Sequence, residues 1–508
     1  AADSPTMMSF FFASPFRWIC QSASCILALV MLSISTQASA QNDAMLRFQI
    51  TGLAEGDTIY LANYYGNKMY YADTAVVGVQ GQFEYPAPAP DKGGKYGLVL
   101  PENGFVEMVL TGGPVTLSAD LSDLPSSVEV EEGLDTQLFY EYLDFIQDMR
   151  EKRAPIDSKA QDSTITEAEM AKLKGDMAVL NLQVEAEQDR IQEEYGHTLF
   201  AKMIKMVREP DVPDAPMDAA NPQLWRYYKF RDMFWDRVDF SDGRLVRDPA
   251  LHNLLEQYWN SVMPQLPDTA LVGVNGLIAR ATQDPDMFKY FVHFFTFSAE
   301  KSQVMCMDKV FVDLVDRYYS SGKADWLNEE QLKKVTDRAE DLRYSLCGNR
   351  IPNIILPDTT QQNWVSLYDV EAEDALVSIW GSTCGHGKKE MPKLQALYEE
   401  WHPKGLEIYA IGNDFEPEPW LKFLREKEIS DWIHVSDNPL INAADSATAL
   451  IMAGTTTLQS LNFRTTFDVY ATPKMFLLDK DKRVIAKQVG AEQIGEILAR
   501  ETQAKSNP

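Results

Sequence analysis

The strongest constraint on the fold of this chain lies after residue 346, where short apolar runs begin to alternate with amphipathic stretches. Ala375-Leu-Val-Ser-Ile-Trp380 is a nearly unbroken apolar run between Asp374 and Gly381, the pattern of a short strand buried on both faces. Lys388 to Trp401 carries its apolar residues at helical spacing, and Leu406-Glu-Ile-Tyr-Ala-Ile411 reads as the next strand. Pro419 to Lys427 follows as a helix, then Trp432–Val435 and Lys474–Leu478 as strands. Arg483–Gln488 completes the sheet and Glu492–Arg500 closes the domain as a helix. Strands alternating with helices in this order specify an α/β domain with a central mixed sheet.

With 508 residues the chain is too long for one ordinary core, and what precedes residue 346 divides by pattern. Residues 41–132 read as strands: Leu46–Ile50, Thr58–Leu61, Val106–Leu110 and Val115–Ala119 are short or alternating apolar runs. Breaks such as Gly93-Gly94 and Gly112-Gly113-Pro114 separate them, which predicts a small antiparallel sandwich or barrel. Its tyrosines (Tyr60, Tyr64, Tyr65, Tyr70 and Tyr71) are expected in core and strand pairing rather than around a ligand. Residues 133–345 read as helices. Leu138–Ile146 opens them, and Leu173, Met177, Leu180 and Val184 line one face of a long helix from Thr166 to Tyr195. Pro210, Pro213, Pro216 and Pro222 mark a loop. Trp225, Tyr228, Phe234, Trp235, Tyr258, Trp259, Phe291, Phe294 and Phe295 are expected on the inner faces of a bundle. His252 and His293 lack partners at ligand spacing, so no metal and no cofactor is assigned.

Arg237-Val-Asp-Phe-Ser-Asp-Gly-Arg-Leu245 and Met305-Cys-Met-Asp-Lys-Val-Phe-Val312 carry a resemblance. The region is similar to the helical domain of unknown function found beside thioredoxin domains in large envelope proteins of Gram-negative bacteria. The strand-rich part resembles the sandwich module that often precedes it. Neither resemblance implies an active site.

The first 40 residues are not expected in the fold. Ile26–Leu32 is a short apolar core, and Ala38-Ser39-Ala40 supplies small residues for cleavage before Gln41, with Arg17 as the single basic residue ahead. Met7 or Met8 is the expected start. Seven to ten apolar residues are too few for a hydrocarbon layer of about 30 Å, and no other stretch nears that length. The reading is an exported protein of the periplasm or cell envelope, cleaved near Ala40, without a transmembrane span. Cys20 and Cys25 precede the apolar core, which argues against lipid attachment. The formal net charge of −28 leaves no basic surplus for nucleic acid. Cleavage leaves Cys306, Cys347 and Cys384. An odd number keeps at least one thiol free or joined to another molecule.

Chemistry concentrates in Trp380-Gly-Ser-Thr-Cys-Gly-His-Gly-Lys-Lys-Glu-Met-Pro392, between the buried strand and the helix that follows it. A cysteine at a helix N-terminus sits where unpaired N–H groups and the helix dipole favour an anion. His386 can add positive charge two residues on. Both lower a thiol pKa from about 8.5, in known cases to between about 3.5 and 7.5, and the thiolate is the species that attacks a disulfide. Lys388 and Lys389 read as solvated helix positions.

The segment resembles the thioredoxin active site, and more narrowly that of the TlpA/ResA-type envelope thioredoxins, with an aromatic residue, a turn, Cys-x-x-Cys and then Lys/Arg-x-Glu-x-Pro. Thr472-Pro473 resembles the second hallmark of that fold, and the resemblance implies a cis proline facing the cysteine. It further implies a multidomain chain that ends, over 346–508, in an α/β thioredoxin fold, with Cys384, His386, Thr472 and Pro473 as the site. The departure is Gly387, which stands where the resolving cysteine belongs. Three readings follow: a monothiol oxidoreductase resolved by an outside thiol; resolution by Cys306 or Cys347, unless those two bridge each other; or a redox-inactive binding or scaffold module. Expected partners are envelope proteins with thiols or disulfides and a small-molecule or protein thiol reductant. No P-loop, Gly-x-Ser-x-Gly elbow or zinc spacing occurs, and no proline precedes Cys384 as a peroxiredoxin pattern requires.

Overall fold

Strand β1 (Met45–Thr51) alternates buried Leu46, Phe48 and Ile50 with outward residues, the period-two pattern of a sheet with one face in the core. The computed structural model describes residues 44–162, 165–382, 385–414, 417–429, 431–436 and 443–506, within one unit, Asp43–Pro508. After β1 come β2 (Thr58–Tyr65), β3 (Lys68–Val76), β4 (Gln82–Pro86), β5 (Gly94–Val99), β6 (Phe105–Leu110), β7 (Val115–Asp120) and β8 (Glu129–Glu132). They form two four-stranded sheets, ordered β4-β1-β7-β8 and β3-β2-β5-β6.

The sandwich is mixed rather than purely antiparallel, because β1 and β7 pair in parallel from Leu46↔Val115 to Thr51↔Asp120. The chain leaves β1, builds the other sheet and returns in the same direction, the crossover a parallel pair needs. The tyrosines also differ from expectation. Strand β3 is exposed along almost its whole length, and Tyr60, Tyr70 and Tyr71 face outward. They pair across strands, with the rings of Tyr60 and Tyr71 5.0 Å apart, but they are not core.

The helical part begins with Leu134–Ala160, packed on β6: Thr136 and Tyr140 donate to the carbonyls of Val109 and Glu107 at 2.9 and 2.8 Å. Thr166 and Glu169 form a capping box at the start of the helix Glu167–Tyr195. Three of the later helices, Pro222–Met233, Pro249–Gln257 and Pro285–Lys301, place proline in the first turn behind an Asn or Asp cap. One apolar core runs through both the sandwich and this part. Most of the aromatic set lies in it, including Phe234, Trp235, Trp259, Phe291 and Phe295. Tyr228 does not, and Trp225 is half-buried. Their helix, Pro222–Met233, buries no residue fully and lies on the surface.

The C-terminal part opens with a small hairpin, β9 (Ile355–Pro357) and β10 (Trp364–Ser366). Its main sheet contains β11 (Asp374–Trp380), β12 (Leu406–Gly412), β13 (Ile433–Ser436), β14 (Lys474–Asp479) and β15 (Val484–Lys487) in the order β13-β12-β11-β14-β15. The β11–β12 and β12–β13 pairs are parallel, while β11–β14 and β14–β15 are antiparallel. Central β11 buries alternate residues on opposite faces. Leu376 and Trp380 pack with the helices Gly385–Trp401 and Ala491–Ser506. Ala375, Val377 and Ile379 pack with Phe463, Phe467 and Phe476. This is the thioredoxin-like α/β arrangement that the resemblance implies.

This part is tied to the helices before it. Cys306 and Cys347 form a disulfide. Buried Lys487 of β15 pairs with Asp308 and donates to the Ser345 carbonyl at 2.7 Å. Arg338, on the helix Glu329–Arg343, pairs with Asp468. No helix among the described residues is long and apolar enough to cross a membrane.

Candidate active site

The site is assembled where β11 ends. Trp380 is fully buried, its ring 5.2 Å from that of Phe423, and its carbonyl accepts from the Asn413 amide at 2.7 Å. The next residues turn sharply. The Ser382 amide donates to Asp414 Oδ2 at 2.8 Å and its hydroxyl donates to Oδ1 at 2.7 Å. Asp414, just past the end of β12, therefore pins the turn that leads into Thr383 and Cys384. Sequence reading missed it, because nothing in the local pattern shows a carboxylate 32 residues away accepting from this turn.

Thr383 and Cys384 lie outside the described residues, as does the side chain of His386. The helix Gly385–Trp401 starts at the residue after Cys384, and Gly387 is buried within its first turn. Glu390, from the Lys-x-Glu-x-Pro stretch, accepts from the Ala491 amide at 2.9 Å. It thus caps the closing helix Ala491–Ser506 and locks the two helices of this face together.

The second half of the site arrives through strand register. In the antiparallel β11–β14 pair Ile379 stands opposite Lys474, so the residues before Lys474 run beside the turn after Ile379. The Thr472–Pro473 peptide is cis. Thr472 Oγ1 lies 4.0 Å from where a Cβ on Gly381 would stand. Thr472 and Pro473 are therefore held next to the turn that carries the cysteine in sequence. The loop is fixed at both ends by buried Asp468, which accepts from Lys474 Nζ at 3.2 Å and pairs with Arg338. Burial works against the Arg338 cation, but the hydrogen bond and charge of Asp468 outweigh it and hold its pKa above the usual guanidinium value. Burial pushes the Lys474 ammonium down against the opposing pull of Asp468.

Beside Pro473 a hollow of about 550 Å³ opens, lined by Tyr470, Met475, Glu390, Arg338 and Gln303 among others. Two of these, Arg338 and Gln303, belong to the helical part. Tyr470 is 80% exposed at its rim, and Arg338 lies over its ring at 5.5 Å. Among the described residues no group of three or more His, Cys, Asp or Glu is placed to hold a metal ion.

Residues 346–503 match the Redoxin family. They form a Redoxin domain. Residues 143–345 match a domain of unknown function, DUF5106. The redoxin domain is similar to the thiol-disulfide oxidoreductase ResA of Bacillus cereus, 26% identical over 145 residues, which are 28% of this chain and 70% of that protein. A ResA from Oceanobacillus iheyensis is 31% identical over 83 residues, 16% of this chain and 43% of the relative. Among solved structures, a domain of a possible thiol-disulfide isomerase from Cytophaga hutchinsonii is 33% identical. It covers 32% of this chain and 97% of its own, with a TM-score of 0.27. A thioredoxin-like protein from Bacteroides caccae is 19% identical and covers 58% of this chain and 99% of its own, with a TM-score of 0.42.

Proposed function

We propose that the chain is a monothiol thiol–disulfide oxidoreductase acting through Cys384 of its redoxin domain. The observation that carries this reading is the pairing of Cys306 with Cys347. Of the three cysteines beyond residue 40, two are joined to each other, and Cys384 is the sulfur left for exchange. The adjacency of Gly381 to Thr472, beside the cis peptide to Pro473, supports a site assembled from both motifs.

Cys384 as thiolate attacks one sulfur of a partner's disulfide. A Cys384–partner S–S bond forms, the partner's own S–S bond breaks, and its second sulfur leaves with the electron pair as a thiolate. With Gly387 in place of a resolving cysteine, an outside thiolate then attacks the partner's sulfur in the mixed disulfide. A bond between the outside sulfur and the partner's sulfur forms, the Cys384–partner S–S bond breaks, and Cys384 leaves with the electron pair as a thiolate. The outside thiol is a small molecule or a protein thiol reductant. The helix N-terminus and His386 stabilise the Cys384 anion, while Thr472 and Pro473 offer backbone beside the sulfur for an extended substrate strand. In this reading the protein is exported and cleaved near Ala40, works in the periplasm or cell envelope on proteins with thiols or disulfides, and is built as 41–132, 133–345 and 346–508.

Insulin reduction with glutathione as the outside thiol tests this. Exchange lost in Cys384→Ala is the expected result. Activity equal to that variant would leave a redox-inactive binding or scaffold module on the same fold.

A further inference from the structure

A second hollow lies where the β2–β3 turn of the sandwich meets the helices Pro249–Gln257 and Pro285–Lys301. Its volume is about 700 Å³, within the range of about 300–1,000 Å³ typical of binding pockets. Tyr70, Trp259, Tyr290, Phe294 and Phe297 line it. Trp259 and Asn260 stand in a π-helical turn, Tyr258–Val262, a distortion that recurs at functional sites. At the head of the turn Gly66 has φ +60°, and a Cβ there would meet the Tyr290 hydroxyl at 1.8 Å. Only glycine lets the turn close this far onto the ring. That hydroxyl is 2.7 Å from His252 Nδ1, and His252 Nε2 is 3.2 Å from Glu256. The chain of polar contacts fixes Tyr290 as a wall.

The hollow carries two lysines against one carboxylate, Glu256, in a chain of net charge −28. Lys68 and Lys301 stand at its rim, and Lys301 Nζ lies 4.1 Å from the centre of the Phe297 ring. Two features extend it. Gln303 lines both this hollow and the one beside Pro473, so the two meet at a single residue. On the other side, β3 pairs only with β2 among the described residues. It presents Met69, Tyr70 and Tyr71 outward, between Lys68 and the shift in register with β2 at Leu61–Ala62.

We propose that this hollow docks the polypeptide substrate of the redoxin domain, taking an aromatic side chain from an extended acidic segment while a cysteine of the same chain lies at Pro473. The occupant's identity rests on the thiol-exchange reading. The class of segment follows from the aromatic walls, the lysines at the rim and the continuity through Gln303 to Pro473.

The test uses the mature full chain and a fluorescein-labelled, cysteine-free peptide of Asp, Glu, Phe and Trp, read by fluorescence anisotropy. A second peptide carries Lys at every acidic position. Saturable binding of the acidic peptide is expected, weakened about tenfold in Lys301→Glu and weakened likewise in Phe297→Ser, both at exposed positions. Cys384→Ala should bind as the wild type does. Equal binding of the two peptides, no binding, or full binding by both surface variants would overturn the proposal. The probe has no sulfur. Exchange on a small disulfide with no peptide binding therefore sinks the docking site alone, while peptide binding without exchange sinks the oxidoreductase reading alone.

Discussion

Asp468 is the residue whose loss should most clearly connect stability to the site. Its carboxylate, 5% exposed, pairs with Arg338 and with Lys474, whose side chains are 26% and 13% exposed. It stands at the start of the loop that carries Thr472 and Pro473, and Lys474 stands at the end. Asp468→Asn keeps the shape and removes the charge, leaving two cations facing each other in a half-dry environment. Removing one partner of a buried ion pair costs about 3–5 kcal/mol. Solvent reaches Arg338, so the lower end, about 3 kcal/mol, is expected. Guanidinium denaturation followed by tryptophan fluorescence reads this loss. A cycle with Arg338→Ala should show a coupling of at least about 1 kcal/mol. Thiol exchange should slow in parallel, since the loop beside Gly381 loses its anchor. A loss below about 1 kcal/mol, or full stability with altered exchange, would refute the claim that this ion pair holds the loop.

Two further outcomes follow from burial and covalent structure. His434 is buried on β13 against Trp432, with ring centres 5.6 Å apart. Burial pushes its imidazole down to about 4, the Ile429 backbone opposing. A depressed histidine contributes stability above its unfolded value of about 6.5 and loses it as pH falls toward 4, about 3 kcal/mol in all. His434→Phe should therefore flatten the fall in urea midpoint between pH 7 and pH 4.5, and an unchanged slope would contradict it. The Cys306–Cys347 disulfide closes a loop with a sequence separation of 41, which by chain entropy stabilises the fold by about 4 kcal/mol. Cys306→Ser with Cys347→Ser should lower the denaturation midpoint accordingly while leaving exchange through Cys384 in place. Loss of exchange in this variant would assign the resolving role to one of the two.

What could be read from the sequence was local. The apolar run Ala375–Trp380 and the long helix read from Thr166 to Tyr195 are legible within a few turns of chain and lie where expected, and the cis peptide at Thr472-Pro473 is the one the resemblance implies. The parallel β1–β7 pairing was not legible, because it depends on where the chain returns after a whole intervening sheet. Tyr228 and Tyr71 show the limit of reading aromatics as core: both lie on surface elements, the helix Pro222–Met233, which buries no residue fully, and the exposed strand β3. The short helices Ala444–Met452, Leu458–Leu461 and Phe463–Thr466 are too brief for helical periodicity to stand out. Asp414 and Asp468 were invisible for another reason. Each acts on residues brought near only by the sheet and by the contact between domains, and a lone aspartate carries no spacing signal. The odd number of cysteines after residue 40 requires at least one thiol that is free or joined to another molecule, and Cys306 and Cys347 are joined to each other.

The most direct measurement is mass mapping of the mature protein after incubation with oxidised glutathione. A single glutathione on Cys384, removed by added thiol and absent from Cys384→Ala, with Cys306 and Cys347 still joined, is the predicted result. An unmodified Cys384, with insulin reduction no faster than in the alanine variant, would contradict it.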